Sequence, residues 1–280
     1  MNLWHAAFNL LPFEWAQFTF MSNAFLALLL VSPLFAFLGC MVINKQMAFF
    51  SDAIGHAALT GIAIGVLLGL ASPLWAMIFF SLFLAVLVTV MKRYSATSTD
   101  TSIGVIVSFA VALGIVLLSR NGGFARYSRF LVGDILSITH SEIAGLFLVI
   151  FVFLIIWVFS FNSIFMVSIN KSLALSRRIS IWFTEIVFAA ITATAVTVSI
   201  PWVGILVINA LLILPAAAAR NISHSTRAYV WSAVALSTLA GISGLITSYY
   251  CATATGATIV LFLVVFFAVS LVVKQFHYIK

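Results

Sequence analysis

FTFMSNAFLALLLVSPLFAFLGCMVI, residues 18–43, runs for 26 residues without one charged side chain. A helix rises 1.5 Å per residue, so about 20 apolar residues cross the hydrocarbon layer of a bilayer. Residues 18–43 therefore read as a membrane span. Eight further apolar segments follow, near 47–70, 74–91, 102–119, 143–160, 180–199, 203–219, 229–248 and 257–273. Only 7% of the 280 residues are charged and 64% are hydrophobic. A water-soluble domain needs roughly 25% charged residues to cover its surface, so this surface faces hydrocarbon. The expected fold class is all-α: a polytopic transmembrane helical bundle of about eight to nine spans, read as one transmembrane domain over 1–280. The segment 203–219 is the least regular, because Pro215 interrupts it and two broken helices fit as well. Residues 131–139 are apolar but too short to span, and read as a re-entrant or surface helix.

Basic residues orient the chain. With the N-terminus outside, the inner loops hold Lys45, Lys92, Arg93, Lys171, Arg177, Arg178, Arg220, Arg227, Lys274 and Lys280, and the outer loops hold Arg120, Arg126 and Arg129. Cytoplasmic loops carry the excess of Lys and Arg, so an outer N-terminus and a cytoplasmic C-terminus are expected. Residues 1–17 then form an extracytoplasmic segment, without the basic start and small-residue cleavage site of a signal peptide. Residues 161–179, FNSIFMVSINKSLALSRRI, form a long basic inner loop. The net charge of +7 reflects this loop bias and not a nucleic-acid partner, since no basic run exceeds two residues. Cys40 and Cys251 give neither a disulfide framework nor a metal spacing. Gly61 with Gly65, Gly241 with Gly244, and the run Ala216 to Ala219 would let helices approach closely.

Chemistry-bearing residues are few. Ser51-Asp52-Ala53-Ile54-Gly55-His56 opens the second span, and a spacing of four puts Asp52 and His56 on one helical face. If the helix begins near Met47, His56 lies about 13 Å along it, near mid-bilayer. A carboxylate oxygen with an imidazole nitrogen suits Zn²⁺ or Mn²⁺. Spacing alone leaves two readings open, a metal or proton site and a structural pair that holds a helix start. Glu185 lies early in the sixth span, where Arg177 or Arg178 would pair with it. Asn209 is set mid-span, either lining a pathway or bonding between helices. Asp134, His140 and Glu142 cluster in an outer loop, either attracting cations or simply solvated. His5, His224 and His277 read as incidental, and seven scattered Met residues do not form a copper relay.

Neither a phosphate-cradling G-x-x-x-x-G-K-[ST] loop nor an H-E-x-x-H pair occurs in the sequence. ATP hydrolysis, if it drives transport, belongs to another subunit, and an intramembrane metalloprotease lacks its motif. A secondary transporter would show more intramembrane carboxylates and inverted repeats.

Four segments, in order along the chain, resemble the zinc/manganese-uptake family of ABC-transporter permeases: SDAIGHAALTGIAIG at 51–65, DTSIGVIVSFAVALGIVLLS at 100–119, FLVGDILSIT at 130–139 and VGILVINALLILPAAAAR at 203–220. The resemblance implies a permease of the bacterial cytoplasmic membrane that imports a divalent metal ion, Zn²⁺, Mn²⁺ or Fe²⁺, as cargo and holds no permanently bound cofactor. It implies a second permease copy or a related permease, two cytoplasmic ATP-binding subunits and an extracytoplasmic metal-binding protein. It places Asp52 and His56 in the metal pathway; Asn209 and Asp134 stay candidates for the pathway or its entrance on their positions alone. It also implies a small ATPase-contacting helix within 161–179, so that Asn162, Lys171, Arg177 and Arg178 are the expected coupling residues. Where the family has Phe-Asp, this chain has Phe161-Asn162.

Overall fold

The protein's structure, a computed structural model, describes residues 4, 8, 12–70, 72–94, 98–119 and 133–278. The expected outer cations Arg120, Arg126 and Arg129, and Lys280, lie outside the described residues. Among the described residues all regular structure is helical. The helices are α1 (Thr19–Asn44), α2 (Phe50–Leu67), α3 (Leu74–Tyr94), α4 (Thr99–Ser119), α5 (His140–Ile169), α6 (Lys171–Ser176), α7 (Ile181–Val203), α8 (Ile205–Ile222), α9 (Thr226–Cys251) and α10 (Thr255–Tyr278), with 3₁₀ turns at Glu14–Gln17 and Ile135–Ser137. Nine of them, all but α6, are long and apolar enough to cross a membrane. Hydrocarbon offers the backbone no hydrogen-bond partner, so a lipid-embedded chain satisfies its amides within helices.

Two differences from the sequence expectation have local causes. The segment 161–179 is not one loop: α5 runs on through Asn162 to Ile169, and only 170–180 connects it to α7. Trp157, Phe161 and Phe165, each four residues apart, pack ring to ring, the first pair tilted and the second stacked, with centroids 5.9 and 5.4 Å apart. These one-turn aromatic contacts carry the helix past the polar Asn162-Ser163 pair. The chain also does not break at Pro215, which lies inside α8. It breaks eleven residues earlier, at Gly204, whose φ of +82° only glycine adopts without strain. Of the short segment 131–139, the described part holds a single 3₁₀ turn, Ile135–Ser137.

The chain divides into two compact units, 1–40 with 132–150 and 201–280, and 41–131 with 151–200. In the first, α8, α9 and α10 pack on one another. Ser237 Oγ donates to the Ser32 carbonyl (3.0 Å) beside Pro33 of α1. Gly244 lies so close to α10 that a Cβ there would stand 2.7 Å from Ile259 Cα. In the second unit α2 packs against both α3 and α4. A Cβ on Gly61 would stand 2.7 Å from Met77 Cα and from the Ala76 carbonyl oxygen. Thr60 Oγ1 donates to the Ala110 carbonyl of α4 (2.6 Å), next to the space left by Gly114. Apolar side chains left outward, among them Phe147, Phe151, Phe159, Leu261 and Val265, form the surface that lipid covers.

These contacts generate a paired expectation. Gly61→Val pushes α3 off α2 and lowers stability by about 1–3 kcal/mol, the cost of overpacking a close contact. Gly104→Ala meets no neighbour within 4 Å and sits in a helix; it leaves stability unchanged or raises it by about 0.5–1 kcal/mol. Thermal unfolding of the detergent-solubilised variants measures both, and equal effects would contradict the helix contact described here.

Candidate metal site

The site begins with how α2 starts. Gln46 adopts φ +54°, and the Met47 amide donates back to the Val42 carbonyl (3.0 Å), closing a tight turn after α1. Residues 47–49 are therefore spent on the turn, and α2 begins at Phe50 rather than near Met47. His56 then lies about 9 Å along the helix at 1.5 Å per residue, shallower than the 47-start would put it. Asp52 falls in the first turn, where four backbone amides lack intrahelical acceptors and the helix dipole favours an anion.

The structure brings Asp52 and His56 together. His56 Nε2 stands 3.7 Å from Asp52 Oδ1, with side-chain exposures of 28% and 40%. Neither is sealed in the core, so an ion can reach both. Zinc takes ligand distances of about 2.0–2.2 Å, and two such arms reaching atoms 3.7 Å apart open at about 120°, close to tetrahedral. The separation is thus compatible with one ion bound to both atoms. Among the described residues there is no group of three or more His, Cys, Asp or Glu side chains placed to hold a metal. The pair therefore offers an ion at most two side-chain donors. One turn further on, Thr60, buried, ties α2 to α4 and fixes the helix that carries the pair.

The other expected residues behave differently. Asp134 turns inward on its own segment: its Oδ1 accepts from the Leu136 amide (3.2 Å) and starts the Ile135–Ser137 turn. Glu142 accepts from the Thr139 amide (2.8 Å) and hydroxyl (2.7 Å), so it caps α5. Asn209 lies one turn into α8, in the other unit from Asp52. Glu185 does not pair with Arg177 or Arg178; its carboxylate lies 3.7 Å from Lys92 Nζ of α3, with both side chains less than one-fifth exposed. Arg93 lies 5.1 Å over the Trp182 ring beside it. A cavity of about 520 Å³ lined by Lys92, Arg93, Leu175, Trp182 and Glu185 opens there. Asn162 lies in mid-helix on the exposed side of α5. Lys171 begins α6, which Asn170 caps by accepting from the Leu173 amide (3.1 Å). Arg177 and Arg178 end it, with Arg178 at φ +57°. Leu173, Leu175, Arg177 and Arg178 are exposed, while Ala174 between them is buried.

Asn23 went unmarked in the sequence. It is buried near the start of α1, and its Nδ2 donates to the Ile138 carbonyl (3.1 Å), holding the segment after Gly133. A lone Asn in an apolar span costs free energy and so marks a contact, yet its partner, 115 residues away, leaves no local trace. Lys92–Glu185 is another such pair.

Fold and pair define a multi-pass membrane protein with an ionisable Asp–His pair set into one span. The chain belongs to the ABC 3 transport family, whose model matches residues 17–274. It is 29% identical to the high-affinity zinc uptake system membrane protein ZnuB of Haemophilus influenzae, over 92% of this chain and 99% of that one. It is likewise 29% identical to the manganese import system permease protein ScaB of Streptococcus parasanguinis, over 91% of this chain and 90% of that one. Its fold is similar to a solved structure of PsaBC from Streptococcus pneumoniae in complex with Fab, with a TM-score of 0.77, 27% identity, and 96% and 95% of the two chains covered.

The Lys92–Glu185 pair gives a test within the second unit. Removing one partner leaves a partly buried charge, whereas removing both does not. Lys92→Met and Glu185→Gln each lower thermal stability by roughly 1–3 kcal/mol, and the double variant loses less than the sum. Additive losses in a double-mutant cycle would show that the two side chains do not interact.

Proposed function

We propose that this chain is the membrane-spanning permease of an ABC-type importer of a divalent transition-metal ion in the bacterial inner membrane, and that Asp52 and His56 hold the ion in transit. The observation that carries the reading is the pair itself, a carboxylate and an imidazole 3.7 Å apart on α2 in a chain matched almost end to end by the family. Relatives named for zinc uptake and for manganese import support it, since one hard oxygen and one borderline nitrogen suit both ions. Two ligands hold an ion loosely. A closed four-ligand shell would bind zinc too tightly to release it, and an open shell lets water or another donor exchange in.

The chain carries no phosphate-binding loop motif, so the energy source is a separate pair of ATP-binding subunits. The short helix α6 is the part that meets them. It offers exposed Leu173 and Leu175 beside Arg177 and Arg178, an apolar patch with a basic edge suited to an acidic partner surface. A second permease copy and an extracytoplasmic metal-binding protein complete the assembly. The N-terminus faces outward and the C-terminus inward, in keeping with the ten-to-three division of basic residues.

Two measurements follow. Asp52→Asn keeps size and hydrogen bonding but removes the charge, and His56→Ala removes the nitrogen. Each abolishes zinc and manganese accumulation in cells expressing the complete transporter, with membrane abundance unchanged; parental uptake by both correctly assembled variants would make the pair structural. In a background without Cys40 and Cys251, Gly122→Cys is labelled by an impermeant maleimide added outside, and Leu175→Cys only after the membrane is opened. The reverse pattern would invert the topology and remove α6 from the ATPase side.

A further inference from the structure

The charge balance of the first unit points to a ligand that the transport cycle does not use. All six carboxylates of the chain lie at or before Glu185, so the last 95 residues contain none. The same stretch carries Arg220, Arg227, Lys274 and Lys280. Two of these cations meet at one place. Where α8 ends and α10 nears its end, a cavity of about 420 Å³ is lined by Arg220, Asn221, Ser223, His224 and Lys274. That volume is within the range of about 300–1,000 Å³ typical of small-molecule sites.

The lining is built to receive an anion. Asn221 Nδ2 donates to Ser270 Oγ (3.0 Å), and its Oδ1 takes a long bond from Lys274 Nζ (3.5 Å), so Asn221 joins α8 to α10 and steadies the ammonium. Lys274 keeps further donor capacity, since an ammonium has three N–H groups. Ser223 Oγ is buried without a hydrogen-bond partner among the described residues, an unused donor in the same wall. Leaving a buried hydroxyl unpaired costs about 1–3 kcal/mol, which an acceptor oxygen from a ligand relieves. No carboxylate lines the cavity to neutralise Arg220 and Lys274.

The cavity's position selects the anion. Just before Lys274, α10 presents Val269, Leu271 and Val272 outward, all exposed and all apolar. The site thus lies where a lipid-facing helix meets the polar boundary, the depth of a headgroup phosphate. Basic pockets between transmembrane helices at this level recognise anionic headgroups. We propose that Arg220 and Lys274, with Ser223 as a third donor, bind the phosphate of an anionic phospholipid at the ends of α8 and α10. The guanidinium engages the two non-bridging phosphate oxygens, the ammonium shares one of them, and the acyl chains lie along the outward apolar face of α10. The lipid fixes the ends of two packed helices and supplies the counter-charge that this part of the chain lacks.

The test uses the full chain in detergent, measured by native mass spectrometry with phosphatidylglycerol, phosphatidylcholine or inorganic phosphate added. Phosphatidylglycerol binds with one lipid per chain, phosphatidylcholine binds more weakly, and excess inorganic phosphate does not displace the lipid. Each cation near a membrane surface contributes about 1 kcal/mol, so the Arg220→Gln, Lys274→Gln double variant binds phosphatidylglycerol on the order of thirtyfold more weakly. The Arg220→Lys, Lys274→Arg variant keeps the charges and binds within a fewfold of the parent, which separates loss of the site from loss of the fold. Arg177→Gln with Arg178→Gln removes equal charge elsewhere and leaves binding unchanged. Equal loss in that control, equal binding of phosphatidylcholine, or displacement by inorganic phosphate would overturn the proposal. So would unchanged lipid binding by the Gln variant with capture of the purified ATP-binding subunit lost, which would assign the cations to a protein surface.

Discussion

An ionisable side chain inside an apolar span has to be offset by something, because hydrocarbon solvates neither a carboxylate nor a backbone amide. That constraint shapes the whole chain. It forces the backbone into helices, and it makes the places of four of the six carboxylates informative. Glu185 is met by Lys92 and Glu142 by the Thr139 amide and hydroxyl. Asp134 takes up the Leu136 amide. Asp52 lies in the first turn of α2, where the helix dipole favours an anion, and stands beside His56, still part-exposed. A carboxylate at a helix start is favoured by the helix dipole and needs no metal to be stable.

The small residues serve the same end by a different route. With no hydrophobic drive between helices in lipid, contact depends on how closely backbones approach. Gly61 brings α3 onto α2, and Gly114 makes room for Thr60, whose hydroxyl reaches the backbone of α4. The helix that carries Asp52 and His56 is therefore clasped on two sides close to the pair. Gly244 does for α9 and α10 what Gly61 does for α2 and α3.

Span number and approximate span limits were legible because apolar runs of membrane length are rare by chance, and the Asp52–His56 spacing declared its shared face. Three things were not. Helix starts depend on turn geometry, and the φ of Gln46 that moves α2 to Phe50 has no strong signature in the residue type. The extension of α5 past Asn162 rests on aromatic packing that outweighs a polar pair, a balance that composition does not rank. Long-range partners such as Lys92–Glu185 and Asn23–Ile138 are chosen by packing, so the nearer arginines looked like better partners for Glu185 than the lysine that holds it. The break at Gly204 instead of Pro215 shows the same limit: a proline inside a transmembrane helix is tolerated where neighbours re-satisfy the backbone, and a glycine at positive φ is what ends the helix.

The central claim is that Asp52 and His56 together hold the transported ion, and X-ray absorption at the zinc edge tests it most directly. The purified chain, loaded with one equivalent of Zn²⁺, is predicted to show a single imidazole shell at about 2.0–2.1 Å with oxygen completing the coordination. The imidazole shell disappears in His56→Ala and the oxygen shell weakens in Asp52→Asn. An imidazole signal that persists unchanged in His56→Ala would place the ion elsewhere and contradict the account.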